Sequence, residues 1–202
     1  YKILFNSVTR VFKYAKQLKI ITDDPTSSVI IPKASRQFDN LEHSRNYYTR
    51  DELRKFLEYA EKHEKYKFYV LFRLLAFSGM RKSEALALTW NDIDFDKSRI
   101  TINKTLILTP KVEVSTPKTK NSNRVVFIDK KTSSVLKEWR FEQKKELLQK
   151  GFNALSTNQI VFSGRNNLYI FPTTISKMMN RISEGSNLPH ITVHGLRHTY
   201  AT

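Results

Sequence analysis

The 202-residue sequence predicts an α+β fold, mostly helical, with a small three-stranded antiparallel sheet. Two observations point to it. Segments with helical apolar spacing occupy both ends of the chain, and between them lie three short runs in which apolar and polar residues alternate. No internal repeat or low-complexity tract interrupts this pattern, and a 40% hydrophobic and 12% aromatic content is ample for a packed core.

Ile3, Leu4, Val8, Val11, Phe12, Ala15 and Leu18 follow the i, i+3, i+4, i+7 spacing of one amphipathic helix. The stretch "TDDPTSSVIIPKASRQFDN" carries two prolines and no period, and reads as a linker with a boundary near residues 32–46. Thr49 and Glu52 form a capping box ahead of the helix "ELRKFLEYAEKH". The more apolar "KYKFYVLFRLLAFSGM" predicts a buried helix closed by Gly79, and "RKSEALALTWNDIDF" a short helix starting at Arg81 and ending in a turn. "RITINKTLIL", "KVEVSTPK" and "RVVFID" are the three strands, with "KTKNSN" as the turn between the last two. "SSVLKEWRFEQKKELLQKG" returns to helix with Gly151 as its cap, and "QIVFSGRNNLYI" reads as a short strand or hairpin. Pro172 suits the first turn of another helix, and "TVHGLRHTYAT" forms the last.

Thirty-five Lys and Arg against nineteen Asp and Glu give a formal charge of +16, so the expected partner is a polyanion. The cations are spread over many segments and mixed with apolar residues, which favours nucleic acid over a membrane surface. No apolar run approaches the ~20 residues of a spanning helix. The absence of Cys excludes disulfides and thiolate zinc sites, and together with the lack of a secretory signal it predicts a cytoplasmic setting. The abrupt start without Met suggests a fragment of something longer.

Three basic clusters stand far apart: "GMRKSE" at 79–84, "PKTKNSNR" at 117–124 and "HGLRH" at 194–198. His194 and Arg197 are spaced i, i+3 and are expected on one helix face, with His198 on that face as well. His194 and His198 also have the i, i+4 spacing of a zinc pair. Gly195 occupies the position where a metalloprotease has its Glu, which disfavours metal.

The ordered motifs "FSGMRKSEALALTW", "TPKTKNSNRVV" and "HGLRHTYAT" resemble the catalytic domain of the tyrosine recombinases of the phage or mobile-element integrase type. The resemblance extends to the N-terminus, where "VFKYAKQLKIITDDPTSSVIIPK" is similar to the last helix and linker of the family's DNA-clamping core-binding domain. It implies residues 1–31 as the end of that domain, 32–46 as linker and 47–202 as a C-terminally incomplete catalytic domain. By position, Arg81 and Arg197 match the two catalytic arginines and His194 the histidine before the second. Lys120 matches the hairpin lysine, with Lys118 close enough to compete for that role. Glu84 falls at the family's acidic position and is expected to orient or buffer the cluster, with His198 in support. Lys82, Lys118 and Arg124 are expected DNA contacts.

The chemistry accounts for these residue types. A phosphodiester under attack gathers negative charge on its non-bridging oxygens, and two guanidiniums can each donate paired hydrogen bonds to it while staying charged. The leaving 5′-oxygen needs a proton, and a Lys among arginines has its pKa lowered towards a useful range by like-charge repulsion. His194 would donate to the phosphate or assist proton transfer. The resemblance implies a Tyr nucleophile, a 3′-phosphotyrosyl intermediate and rejoining without ATP, metal or other cofactor. In the family that Tyr lies tens of residues beyond the "HGLRH" motif, so the nucleophile is not expected in this chain. Tyr200, on the helix of Arg197, lacks an in-line approach. The family further implies double-stranded attachment-site DNA as partner, a homotetramer on DNA, accessory DNA-bending or directionality proteins, and a place on the bacterial nucleoid. A non-catalytic DNA-binding module of the same fold and a type IB topoisomerase relative remain alternatives.

Overall fold

A computed structural model of the chain describes residues 2–30, 45–108, 112–115 and 123–201. The chain divides into two units, Tyr1–Leu41 and Glu42–Thr202. In the first, α1 (Lys2–Gln17) forms over the periodic apolar residues. It stops where Lys19 takes a left-handed φ of 57° and Ile20 N donates back to Ala15 O at 3.0 Å, a Schellman-type closure. Asp24 then nucleates a turn by accepting from the Thr26 amide at 2.9 Å and the Thr26 hydroxyl at 2.6 Å.

The second unit begins, among described residues, at Arg45. Thr49 and Glu52 make the capping box of α2 (Arg50–His63), the Thr49 amide donating to Glu52 Oε2 at 2.8 Å. The central element is α3 (Tyr66–Ser78), which buries nine side chains, Phe68 to Phe72, Leu74 to Ala76 and Ser78 among them. Such an all-round apolar helix is stable only when covered on most sides. Helices α2, α5 (Lys130–Gln149) and α7 (Gly195–Ala201) all pack against it, while α6 (Pro172–Gly185) packs on α2 and on α4 (Lys82–Ala87). Phe56 of α2 meets Phe72 of α3 edge-on at 5.3 Å, and the buried Tyr48 hydroxyl bonds Ser183 of α6 at 2.8 Å. Gly79, at φ 61°, caps α3 in the left-handed region, and Pro172 stands in the first turn of α6. Asp129 caps α5 by accepting from Thr132 N at 2.9 Å, so that helix starts before the predicted Ser133.

The three-stranded antiparallel sheet is present with a different membership. Its order is β1 (Ile93–Asp94), β2 (Arg99–Ile102) and β5 (Arg124–Phe127), with Ile100 opposite both Ile93 and Val126. The run "RITINKTLIL", expected as one strand, breaks at Asn103–Lys104 into β2 and β3 (Thr105–Leu108). The cause is visible at the break. Lys104 Nζ turns inward to the buried Asp92 at 2.7 Å and donates to Thr89 Oγ1 at 3.0 Å. A carboxylate buried beside the 3-10 turn Trp90–Asp92 needs that cation, and the chain leaves the sheet to supply it. β3 then packs on α4 and, among the described residues, pairs only with β4 (Val112–Ser115), Leu106 opposite Val114. The segment "QIVFSGRNNLYI", expected as a short strand or hairpin, forms two isolated antiparallel bridges, Thr89 with Ile160 and Ser163 with Tyr169, the second closing over a 3-10 turn at Arg165–Asn167. Its backbone is held instead by side chains of α5: Trp139 Nε1 donates to Val161 O at 2.8 Å and Gln143 Nε2 to Ile160 O at 2.8 Å.

Candidate active site

The site is built around the corner where α3 ends. Gly79 turns the chain, and Arg81 follows as the N-cap residue of α4. One helical turn on, the Glu84 carboxylate folds back so that Oε2 accepts the Arg81 amide at 2.8 Å and Oε1 accepts Arg81 Nη1 at 2.9 Å. A capping carboxylate three residues into a helix is a local feature of the sequence. Arg124, from β5, is not local. Its Nη1 and Nη2 donate to Glu84 Oε1 and Oε2 at 2.9 and 2.7 Å, a bidentate fork.

Each Glu84 oxygen therefore receives one bond from Arg81 and one from Arg124, which fills the four acceptor positions of a carboxylate. The Glu84 side chain is only 5% exposed, against 27% for Arg124 and 57% for Arg81. Burial alone would push the Glu84 carboxyl up, but the bonds from Arg124 and from the amide and side chain of Arg81 outweigh it and hold it below the usual carboxylate range.

The third cluster reaches the same corner from the other end of the chain. Arg197 Nη1 donates to Gly79 O at 2.6 Å, two residues from Arg81 and hence within a chain span of about 7.6 Å between Cα atoms. Tyr200, one turn later, lays its ring against Gly79: a Cβ there would stand 2.5 Å from Tyr200 Cδ1. The short helix α7 is fixed from outside. Asn46 Oδ1 accepts Thr192 N at 2.8 Å, Tyr48 N donates to Thr199 Oγ1 at 3.0 Å, and Gly195 sits so close to Asn46 that an added Cβ would lie 2.6 Å from the Asn46 carbonyl. That contact is why glycine follows His194.

The helix expected from Thr192 begins at Gly195, so His194 stands immediately before it. The carbonyl of His194 accepts the amides of Arg197 at 3.0 Å and His198 at 3.4 Å. Its ring is exposed and meets the His198 ring edge-on at 4.9 Å. Arg81, Glu84, Arg124 and Arg197 are thus gathered at one corner, with His194 capping the helix that brings Arg197. Lys82 Nζ points to Ser176 Oγ on α6, 3.1 Å away, where desolvation lowers its pKa. Lys118 and Lys120 lie outside the described residues. Among the described residues no group of three or more His, Asp or Glu side chains is arranged to hold a metal ion.

Two features were beyond reach of the sequence reading. The pairing of Arg124 with Glu84 was missed although both residues stand in the quoted motifs. The anchoring of α7 by Asn46 and Tyr48 had no motif to announce it; the capping-box threonine one residue after Tyr48 was the only nearby signal.

Comparison with known proteins bears on the whole arrangement. The profile of the phage integrase family matches residues 46–202. A XerC-like tyrosine recombinase of Caldanaerobacter subterraneus subsp. tengcongensis is 27% identical over all of this chain and 54% of its own length. The ICEBs1 integrase of Bacillus subtilis is 26% identical over 98% of this chain and 51% of its own. The chain thus spans about half the length of the curated relatives it matches. Among solved structures, the Tn1549 transposon integrase in complex with a circular intermediate DNA aligns with a TM-score of 0.76 at 21% identity, covering 99% of this chain and 65% of that one. XerA recombinase aligns at 0.59 and 19% identity, over 98% and 59%. With the family profile covering the site and most of the chain, and the same fold found in recombinases, the chain belongs to the phage integrase family, the tyrosine recombinases.

Proposed function

We propose that this chain supplies the phosphate-activating part of a site-specific DNA recombinase that integrates or excises a mobile element. The observation that carries this reading is that Arg197 bonds the carbonyl of Gly79, two residues before Arg81 in the chain. Arg81 uses one Nη nitrogen on Glu84 and is more than half exposed, so the rest of its fork is available to a phosphate. Arg197, anchored through Nη1, offers its remaining donors beside it. Two such cations would stabilise the charge that develops on the non-bridging oxygens as phosphorus is attacked.

In the reaction a tyrosine oxygen bonds to phosphorus and the bond to the 5′-oxygen breaks, leaving a 3′-phosphotyrosyl link. The 5′-oxygen takes a proton from Lys120, with Lys118 the competing donor, and His194 donates to the phosphate or assists proton transfer. Strand rejoining reverses these steps without ATP, metal or other cofactor. Tyr200 is not the nucleophile in this scheme, because its ring is packed on Gly79 and it shares a seven-residue helix with Arg197. The partner is double-stranded attachment-site DNA, consistent with the +16 charge and with DNA-bound relatives such as the Tn1549 integrase. Assembly as a homotetramer on that DNA, help from accessory DNA-bending or directionality proteins, and a cytoplasmic location on the nucleoid belong to the same reading. No helix among the described residues is long and apolar enough to cross a membrane.

The test is formation of a covalent protein–DNA adduct by the full-length protein on nicked attachment-site DNA. Arg81→Ala and Arg197→Ala are each expected to slow it by about 10²- to 10³-fold, as loss of one preorganised donor does. Undiminished adduct in both variants refutes the assignment. Salt-dependent DNA binding with no adduct would leave a binding module, and relaxation of plasmid lacking any attachment site would indicate a topoisomerase.

A further inference from the structure

We propose that Arg124 is a positioning residue that holds Arg81 in its phosphate-facing geometry by sharing the buried Glu84 carboxylate, and that it does not itself read or grip DNA. The inference rests on the reading of Arg81 as a phosphate donor and extends it to a residue forty positions from Glu84 in sequence.

Charge and bond counting carry the argument. The Glu84 cluster holds one buried anion and two guanidiniums, and every acceptor position of the anion is filled. Arg124 commits its end-on fork, one N–H of each terminal nitrogen, to Glu84, and its side chain is about half as exposed as that of Arg81. Arg81 commits one nitrogen and keeps the rest. This division is stable only while Arg124 is present. A carboxylate that is 5% exposed cannot recover lost bonds from water. If Arg124 is removed, the remaining cation within reach is Arg81, and the cheapest way to satisfy Glu84 is for Arg81 to turn its whole fork inward. Arg81 would then be withdrawn from the phosphate without being mutated.

That mechanism predicts a sign that a DNA contact does not. Removing the anion as well as Arg124 should set Arg81 free again, so the double variant should be faster than the single one. A phosphate-contacting Arg124 would instead lower the salt slope by about one phosphate, roughly 0.9 in log K against log salt, and neither slope nor rate would recover on mutating Glu84. A residue that only supported folding would give a double variant no faster than the single.

The experiment measures single-turnover adduct formation on a nicked attachment-site duplex, DNA affinity at several salt concentrations, and thermal melting, all in the full-length protein. Arg124→Met is expected to slow adduct formation by about 10- to 100-fold, the range a misplaced group produces, with any loss of salt slope, from the withdrawn Arg81, reversed when Glu84→Gln is added. Arg124→Met with Glu84→Gln is expected to regain several-fold over Arg124→Met alone. Arg124→Lys keeps a point charge beside Glu84 but loses the fork, and should fall between parent and Arg124→Met. If Arg124→Met does not fold, the same comparison is made with Arg124→Lys, which should be slower than parent and regain rate when Glu84→Gln is added. A lowered salt slope that persists when Glu84→Gln is added, a double variant no faster than the single, or a fully active Arg124→Lys overturns the proposal. A parent protein that forms adduct but shows no recovery sinks this inference alone; a parent that forms none sinks the recombinase reading and this with it.

Discussion

The two arginines of the site are held by opposite means. Arg81 leans on a side chain, the buried Glu84, whose charge is shared with Arg124. Arg197 leans on a backbone atom, the carbonyl of Gly79, where the C-terminal end of α3 concentrates partial negative charge. One support is an ion cluster that can titrate and be rearranged by a single substitution. The other is a helix terminus that cannot titrate and moves only if α3 or α7 moves. The difference teaches that the first arginine is set by electrostatics and the second by packing, and each can be disturbed without touching the guanidinium.

The largest disturbance is expected on the packing side. Gly79→Ala forces a Cβ into a left-handed residue and into the Tyr200 ring. The backbone term costs about 1–2 kcal/mol and the overlap adds to it, for about 2–4 kcal/mol in all. Combining it with Tyr200→Ala should recover the overlap and leave the backbone part, which denaturant melts would resolve; no recovery would mean that Tyr200 yields freely. On the electrostatic side, Glu84→Gln leaves two cations without their anion and should cost about 1.5–3 kcal/mol at neutral pH. Because the folded carboxyl titrates below its ordinary value of 4.5, its contribution is full above that value and is lost as the pH falls through the lowered one. The stabilities of parent and variant should therefore converge in acid, and a constant gap across the pH range would contradict the ion cluster. Gly195→Ala drives a Cβ onto the Asn46 backbone, which has little freedom to give, and should cost about 1–3 kcal/mol with no rescue from a neighbouring side chain. Smallest is Asn46→Ala, which removes the acceptor of the Thr192 amide and should cost about 1 kcal/mol, in the range of a lost cap. If its main effect is on adduct formation and not on melting, Asn46 positions α7 more than it stabilises the fold.

Much of this was legible without coordinates, and the legible part has a common character. The Thr49–Glu52 box, the Gly79 stop, Pro172 at the head of α6 and the buried α3 all depend on residues within one or two helical turns of each other. The failures have the opposite character. "RITINKTLIL" alternates like a single strand, and only the buried Asp92 twelve residues before Lys104 explains why it is broken there. The last helix is expected from Thr192, yet the close approach of Asn46 starts it at Gly195.

By itself the sequence determined which residue types were present for phosphate chemistry, and most of the helices that carry them, because helical period and capping are short-range and survive in any context. Tertiary structure alone decided the partners: Arg124 with Glu84, Arg197 with Gly79 and Asn46 with Thr192, separated by 40, 118 and 146 positions. A basic residue advertises its charge in the sequence, but which buried acceptor it meets depends on how the core closes around that acceptor. Burial is a property of the packed chain and of no local segment.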